Sequence, residues 1–337
     1  MHDSRSSASR SLAARAGRLR RRAGSLAIEA FFEGLSRSTQ LLPQARRALS
    51  LAEVVRDLPY RPTGLLEHTL DVWRPRERRP GPLPTVLYVH GGGFSILSKE
   101  THWSMALRFA AAGYLVFNVN YRLAPRHPFP AALEDVGEAW AWLGAHLAEH
   151  GGDPRRVVLA GESAGANLVT ALTVATCYER AEGWAQRARA VPLRPAAVIA
   201  GCGYLQVSDP GRFGRRKRLP PWLEDRILET SRAYLGRATP DPAGGLELAD
   251  PISVLEKDAP ARPLPPFFAF AGTADPLLDD TRRLGAALSS RGAPHLLRIY
   301  PGEPHAFHAL SWRPQAEHCW RETFDFLRVH LPPATTT

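Results

Sequence analysis

Three cysteines are few for 337 residues, and Cys177, Cys202 and Cys319 are odd in number, widely spaced and without a CxxC pair or a histidine at ligand spacing. Neither a disulfide framework nor a zinc site follows from that pattern, and a reducing cytoplasm is the expected compartment. Long apolar runs are also missing. No stretch free of both charged residues and Gly/Pro clusters approaches the roughly 20 apolar residues needed to cross a bilayer, so no membrane span is expected. Lysine is scarce: Lys99, Lys217 and Lys257 are the only lysines among 43 basic residues. The net charge is +10, yet no basic stripe interleaved with aromatics runs through the body of the chain, so nucleic acid is not an expected partner. Much of the excess is N-terminal, where residues 1–50 hold ten arginines against Asp3, Glu29 and Glu33, a balance of +7. A secretory signal would need an apolar region after Arg22, and Glu29 and Glu33 interrupt it. The leader therefore reads as a solvated segment joined to a helix that packs on the main domain, with contact to anionic lipid as the alternative.

What is present is the make-up of a globular protein, with 44% apolar, 9% aromatic and 23% charged residues, which excludes disorder for most of the chain. From residue 66 onward, short β-rich runs alternate with longer helical ones. Strands are expected at 70–73, 85–89, 115–120, 157–160, 196–200, 267–271 and 296–300. Helices are expected at 104–112, 131–150, 164–178, 281–291 and 315–329. This alternation indicates an α/β fold with a mostly parallel sheet. Residues 203–263 break it, being rich in Pro, Gly and charge with one expected helix at 222–235, and read as a lid inserted between two strands. The cluster Arg212, Arg215, Arg216, Lys217 and Arg218 within it reads as a solvated loop, or as a docking patch for an acidic partner.

Gly161-Glu-Ser-Ala-Gly165 follows an apolar strand and opens a helix. Alone, GxSxG is a weak signal; in a strand-to-helix turn it exposes a serine hydroxyl at the strand end, beside a helix N-terminus that favours developing negative charge. A serine needs a base and the base an orienting acid. Asp275, just past the strand at 267–271, and His305, in the loop after 296–300, supply them, with His308 as a competitor for the base. The chain order Ser163, Asp275, His305 is that of an α/β-hydrolase. His90-Gly-Gly-Gly-Phe94 follows the strand at 85–89, where N–H donors to an oxyanion are needed. Gly91, Gly92 and Ala164 are the expected donors. A phosphate-binding Gly loop is disfavoured, for no Lys-Ser/Thr follows and the spacing is not GxGxxG.

The motifs His90–Phe94, Asn120-Tyr-Arg-Leu-Ala-Pro125, His127–Asp135, Gly152-Asp-Pro154, Gly161–Gly165, Asp275-Pro-Leu277 and His305-Ala-Phe307 occur in an order that resembles the bacterial hormone-sensitive-lipase-like (family IV) carboxylesterases of the α/β-hydrolase fold. The resemblance spans residues 68–330 and departs at Arg126, where the family usually has Glu, and at Ala166, often a second Gly. It implies an eight-stranded, mostly parallel sheet flanked by helices, with a helical cap. On this reading residues 1–60 hold the leader and part of the cap, 61–202 and 264–337 the catalytic core, and 203–263 the lid. The implied activity is hydrolysis of short- to medium-chain esters through Ser163, His305 and Asp275, without metal or cofactor. An amidase or formamidase using the same triad is the alternative, and a non-catalytic ligand-binding protein on this fold a further one. Phe94, Tyr121, Leu205, Leu277 and Phe307 flank the motifs and are candidates for the substrate pocket, each equally a core residue. A small-molecule ester is the expected partner, and a homodimer is compatible with the sequence.

Overall fold

The computed structural model describes Gly34, Ser36 and residues 47–333 except 78–79, 217 and 237–244. The arginine-rich leader up to residue 46, Gly34 and Ser36 apart, thus lies outside the described residues, as does Lys217 of the basic cluster. Eight strands form one sheet: β1 (Ala52–Pro59), β2 (Thr69–Pro75), β3 (Leu83–Val89), β4 (Leu115–Val119), β5 (Gly152–Glu162), β6 (Pro195–Gly201), β7 (Phe267–Gly272) and β8 (His295–Tyr300). Their order is β1-β2-β4-β3-β5-β6-β7-β8. β2 is antiparallel to both β1 and β4, and every other pairing is parallel. The helices are α1 (Trp103–Ala111), α2 (Ala131–His146), α3 (Ala164–Cys177), α4 (Gly183–Ala190), α5 (Arg212–Arg216), α6 (Pro221–Leu235), α7 (Pro251–Lys257), α8 (Leu278–Ser290) and α9 (Pro314–His330).

The central strands are apolar throughout because both faces are covered. Along β3, Leu87 and Val89 join one core cluster with Trp140 of α2 and Leu168 of α3. Val86 and Tyr88 join another with Phe109 of α1 and Trp320 of α9. This two-residue alternation places one helical layer on each face. Helix α3 is buried along its whole length. β1 was not anticipated, for it is an edge strand whose run Ala52–Pro59 is mostly exposed and carries Arg56 and Asp57; its pattern reflects solvent rather than core. α4, α5 and α7 were also missed, being two turns or fewer each; the start of the basic cluster, expected as a solvated loop, is α5, and its Arg212 is largely buried against Asp280.

Between β6 and β7, the described residues of 203–263 hold α5, α6 and α7 and no strand. Buried carboxylates staple this segment to the core. Asp280 of α8 accepts the N–H groups of Leu205 (2.8 Å) and Gln206 (3.2 Å) and the Arg212 guanidinium (2.5 Å). Asp250 accepts those of Val207 (2.6 Å) and Ser208 (3.0 Å).

A third buried carboxylate ties the start of the domain to its motifs. Asp135 of α2 accepts from the Arg122 backbone (2.9 Å) and guanidinium (2.8 Å), from Arg61 (2.9 Å) and from His68 (3.1 Å). Its side chain is fully buried while these partners converge on it. Removing one member of a buried charged cluster leaves the others unpaired. Asp135→Ala is expected to lower unfolding free energy by about 3–5 kcal/mol in urea titration; an unchanged midpoint would show that the cluster is not a structural tie.

Candidate active site

Ser163 is the single residue between β5 and α3, with φ 54° and ψ −116°. A non-glycine residue in that region is strained by about 1–3 kcal/mol, so its surroundings must impose it. They do so by backbone proximity. A Cβ on Gly165 would lie 2.0 Å from the Val89 carbonyl oxygen, and one on Gly161 would lie 2.6 Å from the Gly165 carbonyl carbon. Only glycine lets β3, β5 and α3 meet this closely. The Ser163 N–H donates to the Gly201 carbonyl (2.9 Å) and its own carbonyl accepts from Tyr204 (3.2 Å), so the turn is also tied to the end of β6.

The three sequence candidates converge. His305 Nε2 is 2.9 Å from Ser163 Oγ, and its Nδ1 is 3.0 and 3.1 Å from the two Asp275 oxygens. A carboxylate can only accept, so Nδ1 carries the proton and Nε2 presents its lone pair to the serine hydroxyl. Asp275 is held in turn by the Leu277 N–H (2.8 Å). Burial opposes charge on His305, but the Asp275 carboxylate outweighs it and holds the imidazolium well above the ordinary histidine range.

His308 is elsewhere. Its ring is buried against Phe270 (5.0 Å between centroids) and Trp320 (6.2 Å), and burial pushes it down to about 4. With Glu162 and Tyr88 it lines a cavity of about 20 Å³ on the α9 side of the sheet. Of the pocket candidates, Phe94, Tyr121, Leu205 and Leu277 lie in the core cluster on the α2 and α3 side. Phe94 stacks on Tyr234 of α6 (3.7 Å). Tyr121 stacks on His90 (4.3 Å) and donates its hydroxyl to the His90 carbonyl (2.9 Å). Phe307 is separated from these four: it packs on Tyr300 (4.8 Å) in the other cluster.

The glycine loop brings a correction. The Gly91 N–H donates to Glu162 Oε1 at 2.6 Å and is not free for an oxyanion. Among the described residues, the N–H groups of Gly92, Gly93 and Ala164 have no acceptor. Gly92 has φ +102°, and a Cβ there would lie 2.0 Å from the Ile96 carbonyl oxygen, so the loop's shape requires glycine at that point.

Glu162 is the residue that sequence reasoning overlooked. Its carboxylate accepts from Gly91, from His102 Nε2 (2.8 Å) and from the Tyr88 hydroxyl. Burial would raise its pKa, but the His102 imidazolium and the hydrogen bonds bring it down to about 2; burial likewise opposes charge on His102, and Glu162 raises it overall. The pair is a buried ion pair beneath the elbow. An acid at the end of an apolar strand cannot be hydrated and must find partners inside, which was the available signal.

Cys202, one residue past β6, completes the neighbourhood. It has φ 40° and is fully buried. Its Sγ, one His305 ring nitrogen and one Asp275 oxygen lie within 4.8 Å of one another. Burial pushes its thiol up, which keeps it neutral at ordinary pH.

Known proteins resemble this chain in sequence and in fold. The chain is 30% identical over 260 residues to the esterase LipQ of Mycobacterium tuberculosis, covering 76% of this chain and 57% of LipQ. It is 34% identical over 235 residues to the carboxylesterase NlhH of the same organism, covering 67% and 66%. It therefore spans less than two thirds of the length of either relative. The crystal structure of esterase LipW from Mycobacterium marinum superposes with a TM-score of 0.73 at 24% identity, covering 92% of this chain and 90% of that one, a likeness of fold. A family model described as the alpha/beta hydrolase fold matches residues 86–309. Together with the eight-stranded sheet, this match establishes that the chain belongs to the α/β-hydrolase fold family, in the hormone-sensitive-lipase-like branch that its motifs indicate.

Proposed function

We propose that the protein hydrolyses carboxylic esters of small molecules through a covalent acyl-enzyme. The observation that carries this reading is the 2.9 Å contact from Ser163 Oγ to His305 Nε2, on a ring whose other nitrogen is held by Asp275. Mycobacterial relatives named as esterases and carboxylesterases support it. His305 takes the Ser163 proton as Oγ attacks the ester carbonyl, and Asp275 stabilises the imidazolium so formed. The carbonyl oxygen, now negative, receives hydrogen bonds from Gly92, Gly93 and Ala164; Gly93 replaces Gly91 of the sequence expectation. His305 then protonates the departing alcohol, and water repeats the sequence on the acyl-enzyme.

Residues 203–263 act as the lid on this reading. Helix α6 sits on the oxyanion loop: Tyr234 stacks on Phe94, and a Cβ on Gly93 would lie 3.2 Å from the Thr230 side chain. So close a roof favours short to medium acyl chains. The reducing cytoplasm remains the proposed compartment, in keeping with three free, buried cysteines.

Hydrolysis of p-nitrophenyl esters from acetate to palmitate is expected to peak at short or medium chains, and Ser163→Ala and His305→Ala to lower kcat by roughly 10⁴–10⁶. Activity of Ser163→Ala equal to the native rate would dismiss the mechanism, and a preference for the matching anilides would indicate an amidase. Because His305 must be neutral to act as a base, the raised pKa places the acid limb of kcat/KM above the ordinary histidine range, with the rate rising as pH rises through it. Asp275→Asn should move that limb to lower pH while lowering kcat; a limb that stays in place would argue against the coupling. Glu162→Gln is expected to lower kcat about tenfold or more at near-constant KM, short of the roughly 10²–10³ lost with a whole oxyanion donor. An unchanged kcat would show that its grip on Gly91 does not govern the loop.

A further inference from the structure

Among the described residues, one set of three side chains offers metal-ligand atoms converging on a common point: Cys202, Asp275 and His305, with their ligand atoms all within 4.8 Å of one another. Their separations of 73 and 30 positions match no metal-binding spacing in sequence. The sheet assembles them, since β6 delivers Cys202, β7 Asp275 and the loop after β8 His305. We propose that these residues form an inhibitory site for a thiophilic divalent cation of the zinc class, built on two members of the catalytic triad. The inhibition rests on the esterase reading above; the binding does not.

The donor set is a thiolate, an imidazole and a carboxylate. With bonds of about 2.3 Å to sulfur and 2.0–2.2 Å to nitrogen and oxygen, a tetrahedral zinc needs ligand atoms roughly 3.3–3.8 Å apart. The ligand atoms, all within 4.8 Å of one another, need to close in by no more than about 1.5 Å to reach that spacing. A thiolate ligand selects zinc or cadmium over magnesium and calcium, which prefer oxygen alone. Three protein ligands leave a fourth position for water, as open zinc sites do. Two ligands are held in place from outside. Cys202 is fixed by its N–H to the Phe270 carbonyl (2.6 Å), and Asp275 by the Leu277 N–H (2.8 Å). Outer hydrogen bonds of this kind orient ligands and raise affinity. Access is through His305, whose side chain is 33% exposed, whereas that of Asp275 is closed to solvent.

Coordination stops the chemistry whichever ring nitrogen is used. If the metal takes Nδ1, the ring proton moves from Nδ1 to Nε2, the thiol proton is released to solvent, and Ser163 faces an N–H in place of a proton acceptor. If it takes Nε2, only the thiol proton is released, and Ser163 loses its proton acceptor. No electron is transferred and no covalent bond in the protein changes, so a chelator reverses the effect. A serine or alanine at position 202 would leave two protein ligands. The thiol is thus the feature that makes this triad sensitive to zinc.

The test separates binding from activity. The full-length Ser163→Ala variant, which keeps all three ligands and removes only the hydroxyl beside His305 Nε2, is titrated with Co²⁺ and then Zn²⁺. One equivalent of Co²⁺ should produce a thiolate-to-cobalt charge-transfer band in the near ultraviolet, which Zn²⁺ abolishes; the band should be missing in Cys202→Ser and weakened in Asp275→Asn. In the otherwise native enzyme, micromolar Zn²⁺ should suppress p-nitrophenyl butyrate hydrolysis and EDTA restore it. Cys202→Ser should raise the half-inhibiting concentration by more than about tenfold. Absence of the cobalt band from the unsubstituted thiol, or equal inhibition of native and Cys202→Ser enzymes, would overturn the proposal without any reference to how a variant folds. Stoichiometric, Cys202-dependent metal binding by a protein that hydrolyses no ester would support the site and refute the esterase reading. Ester hydrolysis indifferent to Zn²⁺, with no cobalt band, would do the reverse.

Discussion

The close crossing of backbones at Gly161, Gly165 and Val89 is the constraint from which the site follows. Because a Cβ on Gly165 would approach the Val89 carbonyl oxygen to 2.0 Å, α3 can begin only where β5 ends and only against β3. The chain has one residue in which to reverse direction, and Ser163 takes up the strain at φ 54°. That geometry brings its hydroxyl to 2.9 Å from His305 Nε2 and leaves the Ala164 N–H without an acceptor among the described residues. The parallel pairings β3–β5, β5–β6, β6–β7 and β7–β8 then bring the carboxyl ends of neighbouring strands to a common edge, where α/β proteins collect their reactive groups. Asp275 reaches His305 and His305 reaches Ser163 across that edge, although they stand 112 and 142 positions beyond Ser163 in the chain.

A buried charge reinforces the same junction. Glu162 is adjacent to the strained serine, and its carboxylate holds Gly91 on one side and His102 on another. The oxyanion loop and the elbow are thereby joined by a charge-assisted hydrogen bond as well as by packing. Burying an ion pair is costly in itself. Here the pair has enough partners to keep Glu162 ionised, and it fixes which N–H groups of the loop remain free. With Gly91 occupied, the free donors shift by one residue, to Gly92 and Gly93.

Much of this was legible in the sequence. The strands flanked by helices on both faces announced themselves as continuous apolar runs, as in Val86–Val89 and Phe267–Ala271, since burial on two faces leaves no room for alternation. That Ser163, Asp275 and His305 come together was legible because Ser163 and Asp275 stand just past such runs and His305 lies in the loop that follows the last strand. β1 was not, because an edge strand answers to solvent on its exposed face and its pattern resembles a loop. Gly91 was assigned wrongly for a different reason. Nothing in the run His90-Gly-Gly-Gly-Phe94 marks which N–H is occupied, and only the position of the Glu162 carboxylate, set by tertiary structure, shows that the Gly91 N–H is taken. Phe307 adjoins the His305 motif in sequence, but the left-handed backbone at Ala306 (φ 56°) reverses the chain between them. Its ring therefore enters the core on the α9 side.

The two faces of the sheet thus divide the work by chemistry. On the α9 side, Phe270, Phe307 and Trp320 pack on His308, and Tyr300 packs on Phe307, which makes a closed aromatic backing. On the α6 side, the backing is a segment held by a few hydrogen-bonded carboxylates, Asp250 and Asp280, and by the stack of Phe94 on Tyr234. Substrate can enter only where covering surface can yield, and aromatic packing in a closed core yields least. On the esterase reading proposed above, selectivity for acyl length resides in α6 and the glycine loop beneath it. Cys202 lies on the boundary between the two, at the end of the strand that leads into the lid, which is why a residue with no part in the proposed reaction stands so close to the base that drives it.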